Sequence, residues 1–547
     1  MASLNAISGP LGQLNARHLL RRLCFKYSNE MVASLSTLTI DDALAILLVP
    51  DAFIGTPYDT KPEGNPDGYW TQSTQIPFSY LDQERKRNIV SGWWWFEAMQ
   101  SKSAAHKMTH FLSTCFTVAK RNCNATDFYD YLLLLHYYSL GNYKTLAKKM
   151  TLNNAMLVYL NNNTNIKSAP NENYAREFME LFTIGKGLQI APGNYSNYTE
   201  EDVVVAAKVL TGIKNDINRT IIDSETGIHC GFFDFASHNT ESKIFSNSFN
   251  DAQVSGANSA AAMANELEDF TTMLFNQSAT AEHICTKLYR YFVNDFISAD
   301  VHNNVILPLA NQLKAANYEL APVIKTLFAS EHFFNIDENP QGLQIIGGLV
   351  KSPLQLFSEI FSVLHLPIPN AYTNPAIYYD QFWIPFAHNS FFQKSDMLLF
   401  DPPNVAGHPA HYQVPDFDKI WISSATLLPR FEVIDSILNG INLLSDEGNF
   451  IYPSFELAPL FSTQPICSDP TNPFILTHEL CILFFGQEPK IERENFFMNT
   501  FLLEEQPPGD WTGLWSFYLQ ANFSTVVNLR LTKLIVAILK APESQLF

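Results

Sequence analysis

The sequence predicts a mainly α protein: a large multi-helical chain with long irregular loops and at most a small β-hairpin. Three observations carry this expectation. Apolar residues recur at three- and four-residue intervals over most of the 547 residues. Sharp helix starts punctuate them: Thr39 precedes Ile40, Asp41 and Asp42, and Thr199 precedes Glu200, Glu201 and Asp202, a hydroxyl at the cap with acids in the first turn. Strict alternation is confined to short stretches near 220–222 and 231–235, enough for one hairpin.

Taken in order, residues 15–27 place Leu19, Leu20, Leu23 and Phe25 near one helical face, with Arg17, Arg21 and Arg22 largely opposite. Residues 39–47 read as a capped helix. From Asn88 to Phe116 the helical spacing continues, and Trp93, Trp94, Trp95 and Phe96 follow one another without a break. Adjacent large aromatics on a helix point in different directions and so span core and surface; stacking on a sugar is the functional alternative. The helix after Thr199 ends at Gly212, and Ala281–Val293, Pro308–Ala329 and Ile345–Leu364 repeat the pattern. Proline-rich or polar connections run from Gly55 to Thr74, Pro367 to Thr373 and Pro465 to Pro473. A chain of this length exceeds one ordinary core, so three regions are expected: 1–215, 216–445 and a helical extension, 446–547.

Composition narrows the function class. A hydrophobic fraction of 46% with only 16% charged residues supports large cores and argues against disorder. The net charge of −19 repels nucleic acid, and basic runs such as Arg85-Lys86-Arg87 and Lys148-Lys149 are too short to reverse that. None of the seven cysteines has the spacing of a zinc or redox pair; only Cys115 and Cys123 lie near enough in sequence to suggest a local bridge. No basic segment followed by an apolar run opens the chain, so the default expectation is cytoplasmic, and no apolar run approaches membrane-spanning length. Nucleophile-elbow, phosphate-loop, dinucleotide, zinc-protease and calcium-loop motifs are absent, and no residue pattern points to a haem, flavin or nicotinamide cofactor.

Three polar clusters are the candidate site. In the first, Pro170 and Asn171 suit a helix start, and Gly185 or Gly187 suits its end. Glu172, Arg176 and Glu180 stand four apart on one face, with Arg176 between two carboxylates; Tyr174, Phe178, Leu181 and Phe182 form the apolar face, and Glu177 sits at the border. Spacing alone fits a solvated ladder of ion pairs. The functional reading has the Asn-rich loop and this face line a polar pocket, where Asn171, Arg176 and Glu180 bind a carboxylate, sulfate or phosphate. Glu172 or Glu177 then serves as base or metal ligand.

The second cluster runs from Asp234 to Lys243, with His238 four residues after Asp234, a spacing that can place a base beside its orienting carboxylate. A histidine bonded within a turn is the plain reading. The third is Asp401-Pro402-Pro403-Asn404-Val405-Ala406-Gly407-His408: paired prolines stiffen the loop, Gly407 permits a turn, and Asp401, Asn404 and His408 face a site or a structural turn. His408 and His411 have HxxH spacing, but without a third ligand no metal is assigned. The loops 161–176, 234–243 and 400–408 are expected to meet at one site.

These segments, with Ala16–Arg22, Lys107–Phe116, Asn153–Gly187, Tyr198–Gly212, Phe235–Lys243, Ile284–Leu288, Lys351–Pro353 and Phe400–Gly407 in that order, resemble the bacterial family of the domain of unknown function 1800. The resemblance implies a largely helical protein, commonly exported, often encoded beside a protein of sulfatase-like fold; it supplies no mechanism. Two departures stand out. Leu112-Ser113-Thr114-Cys115 replaces the family's usual Trp-His-Asn-His, and His408 stands where a Trp usually follows Ala-Gly. A metal site built on those paired histidines would be altered here at Ser113 and Cys115. Two functions remain: an accessory or ligand-binding protein acting with a partner in envelope or extracellular polymer processing, or a hydrolase or transferase of anionic or glycan substrates. The second would use Glu172, Glu177 or Asp401 with Arg176 and His238.

Overall fold

The computed structural model describes residues 1–61, 68, 70, 71, 80–337, 345–445, 448–452 and 455–547. Of the Gly55–Thr74 connection, residues 62–67, 69 and 72–74 therefore lie outside the described residues. The protein is mainly α, as its periodicity implies, with helices from Gly12–Leu23 to Thr525–Leu539. Among the described residues four two-stranded antiparallel ladders are appended. Phe232–Phe233, in a stretch marked by alternation, pairs with Ile213–Lys214, and the longest ladder joins Ile441–Ser445 to Gly448–Tyr452. Among the described residues no helix is long and apolar enough to cross a membrane.

The helix Tyr80–Ala98 runs through the middle of the core, and its tryptophans show why. Trp93, Trp94 and Trp95 are all fully buried. Each is turned about 100° from the last, and each meets a different wall: Trp93 packs on Phe53 and Tyr129, Trp94 on Phe25 and Phe400, Trp95 on Phe357 and Trp383. A helix apolar on every side belongs inside. The indoles of Trp93 and Trp95 donate to Gly55 O and Ser358 Oγ at 2.8 and 2.9 Å, so these rings are core and leave no face for a sugar.

The sequence-marked caps are present. Thr39 Oγ1 accepts from Asp42 N, and Thr199 and Asp202 form a reciprocal capping box that starts Glu200–Val209. The pattern over Pro308–Ala329 is two helices, Leu307–Ala315 and Leu320–Ala329. They part where Asn317 and Tyr318 adopt positive φ, which lets Tyr318 O accept from Tyr143 N. The helix after Asn171 is regular over Glu172–Glu177 and widens to π geometry over Phe178–Phe182, where Thr183 Oγ1 donates to Phe178 O.

The first helix departs from the amphipathic reading. Arg17, Arg21 and Arg22 are buried along with Leu19, Leu20 and Leu23. Arg21 is drawn in by Glu359 Oε1 at 3.0 Å and by the carbonyls of Phe484, Phe485 and Leu546. All seven cysteines are free, Cys115 and Cys123 included; Cys123 Sγ turns instead to Lys120 O. Buried apolar residues from all parts of the chain form one connected core.

Candidate functional site: a cationic cavity

Helix ends and loops close around a cavity of about 210 Å³. Arg22 comes from the last turn of the first helix, and Phe25 follows it. Lys107 and Thr114, seven apart on Ala105–Cys115, share a face, as do His283, Lys287, Arg290 and Tyr291 on Ser278–Phe292. The remaining wall is Leu181, Thr286, Leu349 and Val350, Ser352 and Gln355, then Ala406, Ala410, His411 and Tyr412, and finally Phe417, Asp418, Trp421 and Phe547.

Four cations and one carboxylate line this space, in a chain that is otherwise strongly acidic. Arg22 is 2% exposed; its Nη2 donates to Ile345 O at 2.7 Å, while Nε and Nη1 are buried without a partner. Burial, reinforced by the neighbouring Arg21, pushes its guanidinium down to about 9. Lys107 donates to Gln355 Oε1, and its Nζ lies 4.5 Å from the Phe25 ring centre and 5.2 Å from that of Phe547. Burial lowers it to about 7; Cys24 and Glu359 oppose the shift, and Arg22 and Arg21 add to it. Lys287 donates to Leu181 O at 2.8 Å and is also lowered by burial. The guanidinium of Arg290 lies 4.4 Å over the Phe417 ring, with Nε buried and unpartnered.

The lone acid is Asp418. Its Oδ2 accepts from Val350 N at 2.5 Å, Oδ1 has no partner, and burial raises it to about 6. His283 and His411 are each pushed down to about 3 by burial, so both are neutral and add no charge; His411 Nε2 is another unpartnered atom. Buried charge without a counter-charge costs several kcal/mol per ion. Guanidiniums with unmatched donors in a cavity wall are therefore suited to an anion that supplies acceptors. Around them Phe25, Tyr291, Phe417, Trp421 and Phe547 give the cavity an apolar, aromatic body.

The ten sequence-derived candidates lie outside the residues that line this cavity. Arg176 is gripped bidentately by Glu200, at 2.8 and 2.7 Å, with Glu172 at 3.2 Å and Glu180 at 3.9 Å. Hydrogen bonding to Glu200 raises its guanidinium further above the usual value. Glu180 also takes the Tyr198 hydroxyl and Lys186. Asn171 caps the helix by accepting from Asn173 N at 3.0 Å. Glu177 is raised to about 7 by burial and by Glu180.

The first two loops do meet: Lys167 N donates to Ser237 O at 2.8 Å. His238, however, turns away from Asp234, whose oxygens take Ala236 N and Ser237 Oγ. The carboxylate that orients His238 is Glu266, 2.9 Å from Nε2, while Nδ1 meets Thr211 O at 2.7 Å. Lys243 completes this closed cluster, 2.5 Å from Glu266 Oε1. In the third loop Asp401 pairs with Arg121 at 3.0 Å, Asn404 reaches the Tyr412 hydroxyl, and His408 Nε2 meets Leu398 O. The Tyr159 phenol, pushed up to about 12 chiefly by burial, feels Arg121, Asp401 and Glu177 together, so both carboxylates lie near it. His408 and His411 have ring centres 6.5 Å apart, and among the described residues no three metal-ligating side chains gather.

Sequence reasoning passed over Arg22, Lys107, Lys287 and Arg290, because isolated cations on amphipathic helices read as solvated. A signal was nevertheless available. Of the eight segments that carry the family resemblance, six place a residue in the cavity wall: Arg22, Lys107, Leu181, Lys287, Ser352 and Ala406. Thr114, inside the segment that departs from the family's histidine pattern, lines it too, between Ser113, bonded to His110 O, and the buried Cys115.

The chain belongs to the family described as Protein of unknown function (DUF1800), whose model matches residues 18–546. No curated protein and no solved structure matches it.

Proposed function

We propose that this DUF1800 protein is a binding protein for a small organic anion, held in the cationic cavity. One observation carries the reading: Arg22, whose buried guanidinium has two nitrogens without a partner, lines the cavity with three further cations and, among the described residues, a single carboxylate. Size and lining narrow the class. An apolar cavity of about 150 Å³ accepts benzene, so a space of about 210 Å³ with aromatic walls suits a carboxylate of roughly benzoate's bulk. The accessory role beside a sulfatase-fold partner, in envelope or polymer processing, rests on the family resemblance and adds a setting to this proposal. The hydrolase or transferase alternative has less support. His238 is 1% exposed with both ring nitrogens engaged, and Arg176 is already saturated by carboxylates.

Titration calorimetry with benzoate and benzyl alcohol tests the reading, since the two share a body and differ in charge. Benzoate is expected to bind at least about tenfold tighter, the worth of one charge-assisted hydrogen bond. Its affinity should fall as the pH rises from about 5 to about 8. Over that range Asp418, raised to about 6, becomes anionic, and Lys107, lowered to about 7, loses its charge. Arg22, Asp295 and Lys419 face Asp418, and Arg21, Arg22, Cys24 and Glu359 face Lys107; burial is the largest cause of both shifts. Equal binding of the two compounds, or none, would defeat the proposal.

A further inference from the structure

We infer that Lys107 is a nucleophile that captures the carbonyl group of a bound oxo acid or aldehyde acid as an imine; the inference rests on the anion-binding reading above. The geometry sets this lysine apart. Lys243 and Lys351 sit on carboxylates, Glu266 and Glu359, each at 2.5 Å; the buried Lys120, held by Asn88 and Ser91, does not line the cavity, and Lys287, which does, is held by the Leu181 carbonyl. Lys107 is 4% exposed and lines the cavity between the Phe25 and Phe547 rings, with the neutral amide of Gln355 as its hydrogen-bond partner. No carboxylate pairs with it among the described residues. A lysine desolvated among apolar rings and flanked by guanidiniums releases its proton more readily than an exposed one, which is how amines are made nucleophilic in proteins. The aromatic faces attract an ammonium, but burial prevails, and the shift to about 7 leaves a large amine fraction at neutral pH.

Arg22 supplies the other half of the site. Its guanidinium lies 4.7 Å from the Phe547 ring centre, on the same ring that Lys107 contacts at 5.2 Å. In this proposal a small molecule engages Arg22 through its carboxylate and offers a carbonyl on its body to Lys107. The amine lone pair adds to the carbonyl carbon, forming the C–N bond as the C=O π bond opens to a carbinolamine. The oxygen then leaves as water carrying both amine protons, and the C=N bond closes; no oxidant or reductant is consumed. Asp418 and His411, which line the same cavity, are the groups assigned to relay those protons.

The test uses 4-formylbenzoate on the full chain at neutral pH, reduction with cyanoborohydride, and peptide mass spectrometry. The expected product is a single modified peptide containing Lys107, heavier by the mass of the aldehyde less one oxygen atom. Lys107 should be labelled at least about tenfold more than exposed lysines such as Lys325. Excess benzoate should suppress that label, and Lys107→Arg should lack it. Label confined to other lysines, or Lys107 label untouched by benzoate, overturns the inference. If benzoate binds by calorimetry and Lys107 stays unlabelled, the imine fails while the anion site stands. If benzoate does not bind, both fall.

Discussion

Arg22→Met is expected to weaken benzoate binding by about tenfold to a hundredfold while leaving the ligand-free protein as stable as the parent, or more so. The loss follows from removing charge-assisted hydrogen bonds of about 1.5–3 kcal/mol. The stability result is the more telling half. Arg22 is fully enclosed, has one carbonyl partner and two unsatisfied nitrogens, and burial pulls its guanidinium down to about 9. Its charge therefore destabilises the empty protein, and a methionine of similar length removes that cost without opening a void. Calorimetry and thermal unfolding measure the two halves. A variant that melts well below the parent would mean Arg22 is a structural residue, and a variant that binds benzoate normally would remove it from the site.

Glu359→Ala carries the largest expected effect on stability. Glu359 Oε1 accepts from Arg21 Nε at 3.0 Å and the Tyr27 hydroxyl at 2.6 Å, and Oε2 lies 2.5 Å from Lys351 Nζ. Removing it leaves the buried Arg21 guanidinium without a counter-charge and takes from Lys351 the carboxylate that supports its charge, at a cost of about 3–5 kcal/mol. Burial opposes ionisation of this carboxyl, but Lys351 and Arg21 overcome it and hold its value below the ordinary one. A depressed carboxylate contributes stability that is present above its unfolded value, about 4.3, and is lost as the pH falls through the folded one. Chemical denaturation of parent and variant should therefore differ most near neutrality and converge in acid. A difference under about 1 kcal/mol at neutral pH, the scale of an exposed pair, would contradict the account.

The fold was legible wherever local chemistry acts alone. Thr39 and Thr199 cap the helices they were expected to cap, because a hydroxyl and an acid three residues on satisfy orphan amides whatever lies beyond. Arg21 and Arg22 were misplaced because helical periodicity reports only that they stand apart from the leucines. It cannot report that Glu359 and the Ile345 carbonyl wait on that side, more than 300 positions away. The same blindness applies to Arg176. Its intrahelical neighbours were visible at four-residue spacing, whereas Glu200, its closest partner, is on another helix. His238 has the converse history: Asp234 was near in sequence, yet its oxygens are used by its own turn, and the carboxylate that reaches the imidazole is Glu266. Polar clusters advertised in sequence closed upon themselves. Cations spread over three helices were the ones that folding left without a carboxylate around a common space.

The most direct measurement is an anomalous difference map from crystals of the full chain grown with 4-bromobenzoate. The account predicts a bromine peak inside the cavity among Phe25, Tyr291 and Trp421, with carboxylate density on the Arg22 guanidinium. Bromine only at the protein surface, or an unoccupied cavity at a ligand concentration that saturates binding in solution, would contradict it.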